Sequence, residues 1–504
     1  MDNEQNEQNE QKSQKESQSD ILVGIGMQSE PYCDESERLF VKLEIGGHYE
    51  MIPVGGESHR HWLTAKFYYE YHKAPNTESL NQAINTLKAL TRIEGKRCKL
   101  SKRVAKNKGK FFYHLADKES RVVAITSEGC KITQKAAILF EKSGGMKAQV
   151  EPDFKNGNLL LLKKHIRLRR SSDWILLLVY LVACLIADIP HPVLIIAGEK
   201  GAAKSTMLRM LKAIIDPSNR DLLVMPNAIS DLALTLSKNF MACFDNMTTI
   251  TSEKSDLLCM ASTGGSITKR KLFTDDDEVC MSFKHCVAMN GINIVASKPD
   301  LLDRSIIIEL ERIAEGERKE ESTLWEEFRN DLPRILGGAM NALSQAMTIY
   351  PTVKLERLFR LADFTRWGFA IAEALDIGGN KFLKAYELNQ NFANDEAVES
   401  HPVAAAIVAF MKDKSTWEGP VSNLHKILAR IAFNNNISTT SKVWPKAAHV
   451  LSKRLREIKS NLEKKGIYFD IRHGGDAKII TLQKRELAKK APKKKQELDT
   501  TQEP

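Results

Sequence analysis

The chain has 504 residues, which is room for roughly three domains at ~150 residues each and excludes a single small module. Its 42% hydrophobic and 27% charged residues suffice for ordinary globular cores. An excess of 74 basic over 64 acidic residues gives a net charge of +10 and predicts a polyanionic partner. The eight cysteines are scattered without a CxxC pair, which argues against a zinc module or a disulfide framework and favours a reducing, cytoplasmic interior.

The two ends and the longest apolar run bound the topology. Residues 1–20 are rich in Gln, Glu and Asn, so we expect a disordered leader. Residues 483–504 are rich in lysine and are expected to form a basic, disordered tail. The longest apolar run is Trp174–Ala187, which is shorter than the ~20 residues that cross a bilayer as a helix. It predicts a buried helix and no membrane partner.

Residues 21–164 read as an α+β domain of unknown role. A hairpin is expected over Arg38–Ile52, helices over His61–Ile93 and strands over Phe111–Ile132. Between them, Arg92–Lys110 holds nine Lys or Arg and one acid before a Phe-Phe-Tyr run. Two interpretations stay open: a basic loop that grips a nucleic-acid strand beside stacking aromatics, or a solvated loop over core aromatics.

The strongest motif is GEKGAAKST, which directly follows the apolar strand VLIIA and precedes an apolar helix. A strand, a glycine turn and a helix N-terminus gather backbone N–H groups around a phosphate. Lys204 is then expected to reach the β- and γ-phosphates, and Ser205 to ligate Mg²⁺. Ala203 stands where the common pattern has glycine, and its methyl group is tolerated there if φ is negative. The predicted nucleotide contacts are Gly198, Gly201, Ala203, Lys204, Ser205 and Thr206.

A phosphate loop needs a metal-holding acid on a neighbouring buried strand. FMACFD ends in Asp245, which we predict in this role, with the capping of a turn as the alternative. The next residue is Asn246, where many ATPases of this kind place an acid that polarises water. The general base is therefore unidentified, and ATP with Mg²⁺ is the predicted cofactor pair.

Two further positions follow along the chain. FKHCVAM predicts a third strand that ends at Asn290, whose amide is expected to orient the attacking water or sense the γ-phosphate, unless it is a plain turn residue. Arg304 precedes the apolar strand SIIIEL. It suits an arginine finger offered to the nucleotide of an adjacent subunit, with an ion pair to Asp303 or Asp300 as the alternative.

Between these stations, a Gly-Gly turn is followed by three bases and then an acidic run. The compact cationic tip predicts contact with a DNA backbone, while neutralisation by the acidic run is the competing interpretation. The bases are Lys269, Arg270 and Lys271.

The order of these motifs resembles the superfamily-three and viral primase-helicase ATPases, a branch of the AAA+ group. The pieces GEKGAAKST, FDN, TGGSITKRKLFTDDDE, NGI, KPDLLDRS and LADFTRW are similar to phage- and plasmid-type ATP-binding proteins. The resemblance implies that Asp245 is the Walker B acid, Asn290 sensor 1 and Arg304 the finger. It further implies that Lys269 and Arg270 lie in a DNA-gripping hairpin, that Arg360 acts from a helical lid, and that subunits assemble as rings, commonly hexamers.

Residues 399–482 predict a C-terminal domain of three helices followed by a two-stranded ribbon, which is the winged-helix arrangement. Its third helix is expected to begin near Trp444 and to present Lys453 and Arg454 to DNA. A role of the same fold in binding protein is the alternative. A segment with Trp417 is read as a connector between the first two helices.

The fold class predicted from these patterns is α/β: a P-loop NTPase core of the AAA+ type between an N-terminal α+β domain and a C-terminal winged-helix domain. The core spans 165–312 and a helical lid 313–398. The predicted function is an ATP-driven DNA helicase or translocase of mobile-element replication. The alternative is a DNA-binding nucleotide switch with little turnover, which the missing acid at Asn246 favours. A primase is ranked low because residues 21–164 lack a clear paired-carboxylate motif with a following histidine.

Overall fold

A computed structural model describes residues 16–134, 136, 138–142, 145–248, 250–270, 278–291, 298–440, 443–474 and 477–485. The predicted leader up to residue 15, Lys271 and most of the basic tail lie outside these ranges. The chain forms two compact units. The first contains the described residues up to Gly291 together with Asp303–Gln390, and the second contains residues 298–302 and everything described from Asn391 onward.

The first unit opens with a small α+β layer. Its elements are α1 (Gln18–Met27), β1 (Glu30–Asp34), β2 (Leu39–Ile45), β3 (His48–Pro53), α2 (Glu57–Tyr71), α3 (Thr77–Glu94) and β4 (Lys96–Cys98). The sheet has the order β3-β2-β1-β4, and β2 and β3 form the predicted hairpin. The helices bury residues such as Leu22, Leu63 and Ile84 against this sheet in a core of their own. Helix α1 begins inside the predicted leader, where the Ser17 hydroxyl accepts a hydrogen bond from the Asp20 amide at 3.2 Å.

A second sheet, which is antiparallel, and a separate pair of strands follow. The strands are β5 (Leu100–Ser101), β6 (Val104–Asn107), β7 (Lys110–His114), β8 (Val122–Thr126), β9 (Gly129–Thr133) and β10 (Leu139–Phe140). Strands β6 to β9 pair in chain order as an antiparallel meander, and β5 pairs in parallel with β10 as a separate two-stranded sheet. The prediction that Arg92–Lys110 is a loop is wrong, because short strands and the end of α3 occupy most of it. Phe111 and Tyr113 are buried as core aromatics, and Arg103 is fully buried beside them.

The centre of the first unit is a parallel sheet. Its segment comprises α4 (Ser171–Ala183), β11 (Val193–Ala197), α5 (Lys204–Ile215), α6 (Ile229–Lys238), β12 (Met241–Met247), α7 (Ser252–Thr263), β13 (Gly265–Arg270), β14 (Glu278–Phe283), β15 (Cys286–Gly291), α8 (Pro299–Leu302) and β16 (Ser305–Glu309). Four strands pair in the order β12-β15-β11-β16, all parallel. Every residue of β11 is buried, as expected for a central strand covered on both faces.

The apolar run after Asp173 forms helix α4, and its residues from Leu176 to Ala183 are all buried. The predicted buried helix is therefore confirmed. Among the described residues, no helix is long and apolar enough to cross a membrane. Seven cysteines are free thiols: Cys33, Cys98, Cys130, Cys184, Cys243, Cys259 and Cys286.

Three long helices complete this part of the chain: α9 (Glu321–Ile349), α10 (Ala362–Ala374) and α11 (Gly379–Ser400). Helix α9 continues through Pro333. Proline removes one hydrogen bond of the helix, but a loop packs closely on the next turn. The Asp153 amide donates to the Pro333 carbonyl at 2.9 Å, and a Cβ on Gly337 would lie 2.0 Å from the Asp153 carbonyl oxygen. Tertiary packing thus keeps the helix intact.

One hydrophobic core extends through the first unit from Val104 to Tyr386. It joins the second antiparallel sheet, the parallel sheet and the helices, which the sequence prediction had divided among three domains. The edge of the parallel sheet at β16 is covered. The Asn389 side chain accepts from the Ile307 amide at 3.0 Å and donates to the Ile307 carbonyl at 2.6 Å, so this edge is closed to further strand pairing.

The second unit contains most of the C-terminal residues. Its elements after α11 are α12 (Pro402–Phe410), β17 (Thr416–Pro420), α13 (Val421–Asn434), α14 (Ala448–Glu457), α15 (Lys459–Lys464), β18 (Ile467–Gly474) and β19 (Ala477–Lys484). The three strands form an antiparallel sheet of order β17-β19-β18. The segment around Trp417 is therefore a strand, not a connector. The expected third helix begins later than predicted, at Ala448, and is interrupted at Ile458.

Candidate functional site

The glycine-rich loop joins β11 to the first turn of α5. Gly198 and Gly201 have φ values of 150° and 81°, in the region that glycine enters without steric cost. Ala203 has φ 57°, so the condition under which its methyl group is tolerated without strain, a negative φ, is not met. An alanine in the left-handed region costs roughly 1–2 kcal/mol. The loop therefore keeps the backbone path of a glycine turn and carries local strain at the residue before Lys204.

Lys204 is the first residue of α5, and its ammonium group folds back over the loop. Its Nζ donates to the carbonyl oxygens of Gly198 at 2.7 Å and Glu199 at 2.8 Å. Burial lowers the pKa of Lys204, and the charge of Asp245 opposes that shift. The Lys204 ammonium group thus lies at the N-terminus of α5, and both the ammonium charge and the helix dipole favour an anion there. Thr206 is half-buried in the same helical turn.

Three predicted side chains meet at the carboxyl ends of the parallel strands. The Ser205 hydroxyl donates to Asp245 Oδ1 at 2.8 Å, and Asn290 Nδ2 donates to the same oxygen at 2.6 Å. Asn290 is 1% exposed, and its own Oδ1 accepts from the Asn246 amide at 2.7 Å. The Asp245 carboxylate is thereby oriented from two sides.

The strand order explains this convergence. Strand β15, which carries Asn290, lies between β11 and β12, so its carboxyl end separates the loop from Asp245. In register, Ile196 lies opposite Asn290, and Phe244 lies opposite Met289. The glycine loop, the amide and the carboxylate consequently share one edge of the sheet, which is where open parallel sheets bind ligands.

Asn246 has φ 54° and lies where the pairing of β12 with β15 shifts register. Asparagine enters the left-handed region more readily than most residues. Its side chain is exposed, and its backbone amide is used by Asn290. The departure from an acidic residue at this position therefore coincides with a local backbone conformation that favours Asn.

Arg304 lies at the amino ends of the parallel strands, opposite to the glycine loop. Its carbonyl oxygen accepts from the Val193 amide at 3.0 Å, and β16 then runs parallel to β11. At ~3.3 Å per residue, this strand holds Arg304 on the order of 15–20 Å from the glycine loop of its own chain. Arg360 donates to Asp303 Oδ2 at 2.7 Å. This ion pair joins the predicted lid to the start of β16.

A charged linker, which we define as residues 310–320 between β16 and α9, passes beside the glycine loop. Arg312 and Glu199 approach to 3.8 Å, and Arg209 of α5 donates to Glu321 at 3.0 Å. A Cβ built on Gly201 would lie 3.6 Å from Nη2 of Arg318. Sequence reasoning missed Arg318, because no motif marks it and only the fold brings the linker to the loop.

The predicted DNA-contacting residues of the first unit lie on a β-hairpin. Strand β13 pairs with β14 from Gly265 opposite Phe283 to Arg270 opposite Glu278. Lys269 and Arg270 are therefore the last residues of β13, while Lys271 lies outside the described residues. The backbone of this segment agrees with the predicted hairpin.

In the second unit, the order of elements from α12 onward is helix, strand, three helices and two strands, with α14 and α15 as the two parts of the interrupted third helix. On α14, Leu451 and Leu455 are buried and Lys453 is exposed. Arg454 is half-buried and donates to Glu457 at 2.8 Å, so one of the two predicted DNA contacts on this helix is held by an acid of its own helix.

The donor set around the glycine loop fits a phosphate with a hard divalent cation. An ammonium group and a helix N-terminus suit phosphate oxygens, while a hydroxyl and a carboxylate suit Mg²⁺. Within the described residues, His, Cys, Asp and Glu side chains form no group of three or more that could hold a metal ion. A Mg²⁺ ion would accordingly depend on Ser205, Asp245 and the oxygens of a bound phosphate, as is usual for this ion.

Family models match both parts of the chain. Residues 161–395 match the actinomycete integrative conjugative element replication protein. Residues 403–496 match the AICE RepA C-terminal domain. The two matches follow each other in the order of the chain and cover the glycine loop, the parallel sheet and the second unit. They support a replication protein of a mobile element.

Solved structures with similarity include an A-form apo structure of the NrS-1 C-terminal region. It is 12% identical with a TM-score of 0.38 over 93% of this chain and 98% of that chain. Another apo structure of the NrS-1 C-terminal region (305–718) is 11% identical with a TM-score of 0.39 over 94% and 100% of the two chains. These scores are too low to support a conclusion. No curated protein matches the chain.

Proposed function

We propose that this chain is an ATP-hydrolysing DNA helicase or translocase of mobile-element replication. The observation that carries the proposal is the convergence of Lys204, Ser205, Asp245 and Asn290 at one edge of a parallel sheet. These residue types are the ones that a triphosphate and its metal ion require, and they come from three separate segments.

Each side chain has a role in this proposal. Lys204 would hold the β- and γ-phosphates, with the loop amides around them. Ser205 and Asp245 would hold Mg²⁺, which neutralises charge that develops on the phosphates. Asn290, kept in place by the Asn246 amide, would orient the attacking water.

DNA would contact both units. Lys269 and Arg270 on the hairpin would follow a phosphate backbone. The second unit has the order helix, strand, helix, interrupted helix and two strands, with β19 between β17 and β18, and this order supports a winged-helix domain. In that arrangement, Lys453 on α14 is available to DNA.

A nucleotide switch is the second candidate, and one observation favours it. Asn246 offers no carboxylate at the position that follows Asp245, and its backbone conformation suits Asn. Without an acid that polarises water, ATP would be bound and retained while hydrolysis stayed slow. In this function ATP would control assembly or DNA binding without driving movement.

The deciding experiment is ATP hydrolysis by the full-length protein, with and without single-stranded DNA. We expect turnover that rises with DNA and is lost in Lys204→Ala, because the ammonium group contacts the transferred phosphate. Duplex binding should persist in this variant, because the proposed duplex contacts belong to the second unit and the substituted loop belongs to the first. The combined change Lys269→Ala and Arg270→Ala should leave basal turnover and remove its stimulation by DNA.

The outcomes separate the two candidates. ATP binding without turnover, in either condition, contradicts the motor and supports the switch. If wild type binds no nucleotide, or Lys204→Ala hydrolyses ATP as wild type does, the site assignment itself is wrong.

A further inference from the structure

The second unit carries a groove that the proposed function does not use. It lies between the C-terminal half of α13 and the segment that leads to α14, with a volume of about 850 Å³. Ala429, Ala432 and Trp444 line its apolar part, and Asn434, Asn436 and Lys446 its polar part. This volume falls within the ~300–1,000 Å³ of sites for small organic groups.

An aromatic ring stands at the edge of this groove. Phe433 is 83% exposed, although it lies in the last turn of a helix whose opposite face is buried at Leu424 and Leu428. The helix end is well defined: Asn436 has φ 55°, and the Ile437 amide donates to the Ala432 carbonyl at 2.9 Å. His425 also fixes the other wall, where its Nε2 donates to the Pro445 carbonyl at 2.7 Å. Hydrogen bonds therefore fix both the helix end that carries the ring and the opposite wall of the groove.

The sequence on both sides of the ring is positively charged. Residues 421–456 contain seven Lys or Arg and no Asp or Glu. Lys426, Arg430 and Phe433 have the spacing of one helical face, and all three are exposed. A run of this length without an acid is complementary to a polyanion, and an exposed ring within it offers a stacking surface for a base.

We propose that the groove beside Phe433 binds an unpaired base of single-stranded DNA. The ring stacks on the base, the asparagines line its polar edge, and Arg430 and Lys446 contact the flanking phosphates. The proposal rests on the proposed function in that it takes DNA as the polyanion. It adds that the second unit holds single strands at a surface separate from the exposed face of α14.

The test compares Phe433→Leu, which keeps apolar bulk but removes the aromatic face, with Phe433→Trp, which keeps it. Full-length protein is titrated with a 2-aminopurine-labelled single strand and with a matched duplex. We expect Phe433→Leu to weaken single-strand binding at least about fivefold and to lose stacking quenching, while Phe433→Trp stays near wild type. Duplex affinity should change less than about twofold.

Controls separate stacking from charge and from folding. Removal of the base platform should leave the salt dependence of binding unchanged, whereas Lys446→Ala should reduce its slope by the equivalent of one phosphate. Tyr69→Leu, at a ring 78% exposed in the first unit, should leave single-strand binding unchanged. The thermal midpoint of Phe433→Leu should equal that of wild type.

Four results would overturn the inference. Wild-type affinity of Phe433→Leu for single strands shows that the ring is not a platform. An equal loss of single-strand and duplex binding shows a general role of the surface in charge or folding. If wild-type protein binds duplex DNA but no single strand, the inference fails while the proposed DNA interface stands; if it binds neither, the proposed function fails with it.

Discussion

Ala203 shows how one residue combines sequence and conformation at the glycine loop. Its φ of 57° belongs to the left-handed region, although the chain places a methyl group there. Strained backbone at functional sites persists when the surroundings determine it. Here the Lys204 ammonium group holds the loop through hydrogen bonds to two of its carbonyl oxygens, and Ala202 of the same loop is buried.

We expect Ala203→Gly to stabilise the folded protein by about 0.5–1 kcal/mol. Relief of ~1–2 kcal/mol of left-handed strain exceeds the ~0.5–1 kcal/mol that glycine loses in chain entropy. Denaturation in urea, followed by circular dichroism, measures the difference. Ala202→Gly is the matched control: it removes a buried methyl group at a position without positive φ and should destabilise. A lower midpoint for Ala203→Gly would contradict the assigned strain.

Residue identities predicted much of the site, and backbone angles did not follow from them. Lys204, Ser205, Asp245 and Asn290 were named from motif order, because the carboxyl ends of parallel strands share one edge. The positive φ of Ala203 was missed, since composition does not report which alanine a turn strains. Asn246 was noticed as a missing acid. Its left-handed conformation supplies a physical reason that depends on the register shift between two strands.

At the scale of elements, helix α5 is held at both ends. Its first residue contacts the glycine loop, and its last turn is bound by side chains of the second antiparallel sheet and the loop after it. Tyr113 donates to the Ile215 carbonyl at 3.0 Å, and Gln149 Nε2 to the Ile214 carbonyl at 2.9 Å. These contacts satisfy carbonyl groups that a helix C-terminus leaves unpaired. The sheet that precedes the parallel sheet therefore helps position the glycine-loop helix.

A buried ion cluster completes this connection. Arg103 Nε donates to Asp216 Oδ1 at 3.1 Å, and Lys212 Nζ to Asp216 Oδ2 at 2.8 Å and to the Met241 carbonyl at 2.7 Å. Burial raises the pKa of Asp216, but Lys212 and Arg103 outweigh it and hold that pKa at about 2. A lowered carboxyl pKa stabilises the fold above the ordinary pKa of 3.8, and this contribution is lost as pH falls from about 4 to 2.

We expect Arg103→Met to destabilise the protein by about 3–5 kcal/mol, because it leaves buried acceptors and part of a buried charge without their partner. Urea denaturation of the full chain measures the effect. Lys110→Met, an exposed cation of the same basic run, should change stability by less than about 0.5 kcal/mol. Equal effects of the two substitutions would show that Arg103 is not a structural anchor.

The role of Arg103 could not be predicted from the basic run. Its partners include Asp216 and the carbonyls of Lys147 and Pro217, which are distant in sequence. The run was interpreted as a loop because nine cations obscure the short strands between them. Similarly, α9 continues through Pro333 because a loop that is remote in sequence packs on it. Local patterns predicted the helices, the first hairpin and the buried strands, while long-range packing decided these exceptions.

At the scale of the whole molecule, the proposed catalytic residues lie at two opposite ends of the parallel strands. Lys204, Asp245 and Asn290 lie at the carboxyl ends of the strands, and Arg304 lies at the opposite end of β16. A single chain therefore has the glycine loop at the carboxyl ends of the strands and Arg304 at their amino ends. Such an arrangement suits a head-to-tail contact, in which the arginine of one copy reaches the loop of the next.

We expect a mixture of Lys204→Ala and Arg304→Ala subunits to hydrolyse ATP, although each variant alone does not. In a head-to-tail assembly, an intact loop of Arg304→Ala would meet the intact arginine of Lys204→Ala at about a quarter of the contacts, if subunits mix at random. ATP hydrolysis after subunit exchange measures this recovery. As a control, Lys204→Ala mixed with the double variant Lys204→Ala/Arg304→Ala contains no intact loop and should remain inactive. Strand β16 separates Arg304 from the glycine loop of its own chain, so Arg304 can reach phosphates only in a neighbouring subunit. A mixture no more active than its parts would therefore contradict the proposed role of Arg304 as an arginine finger.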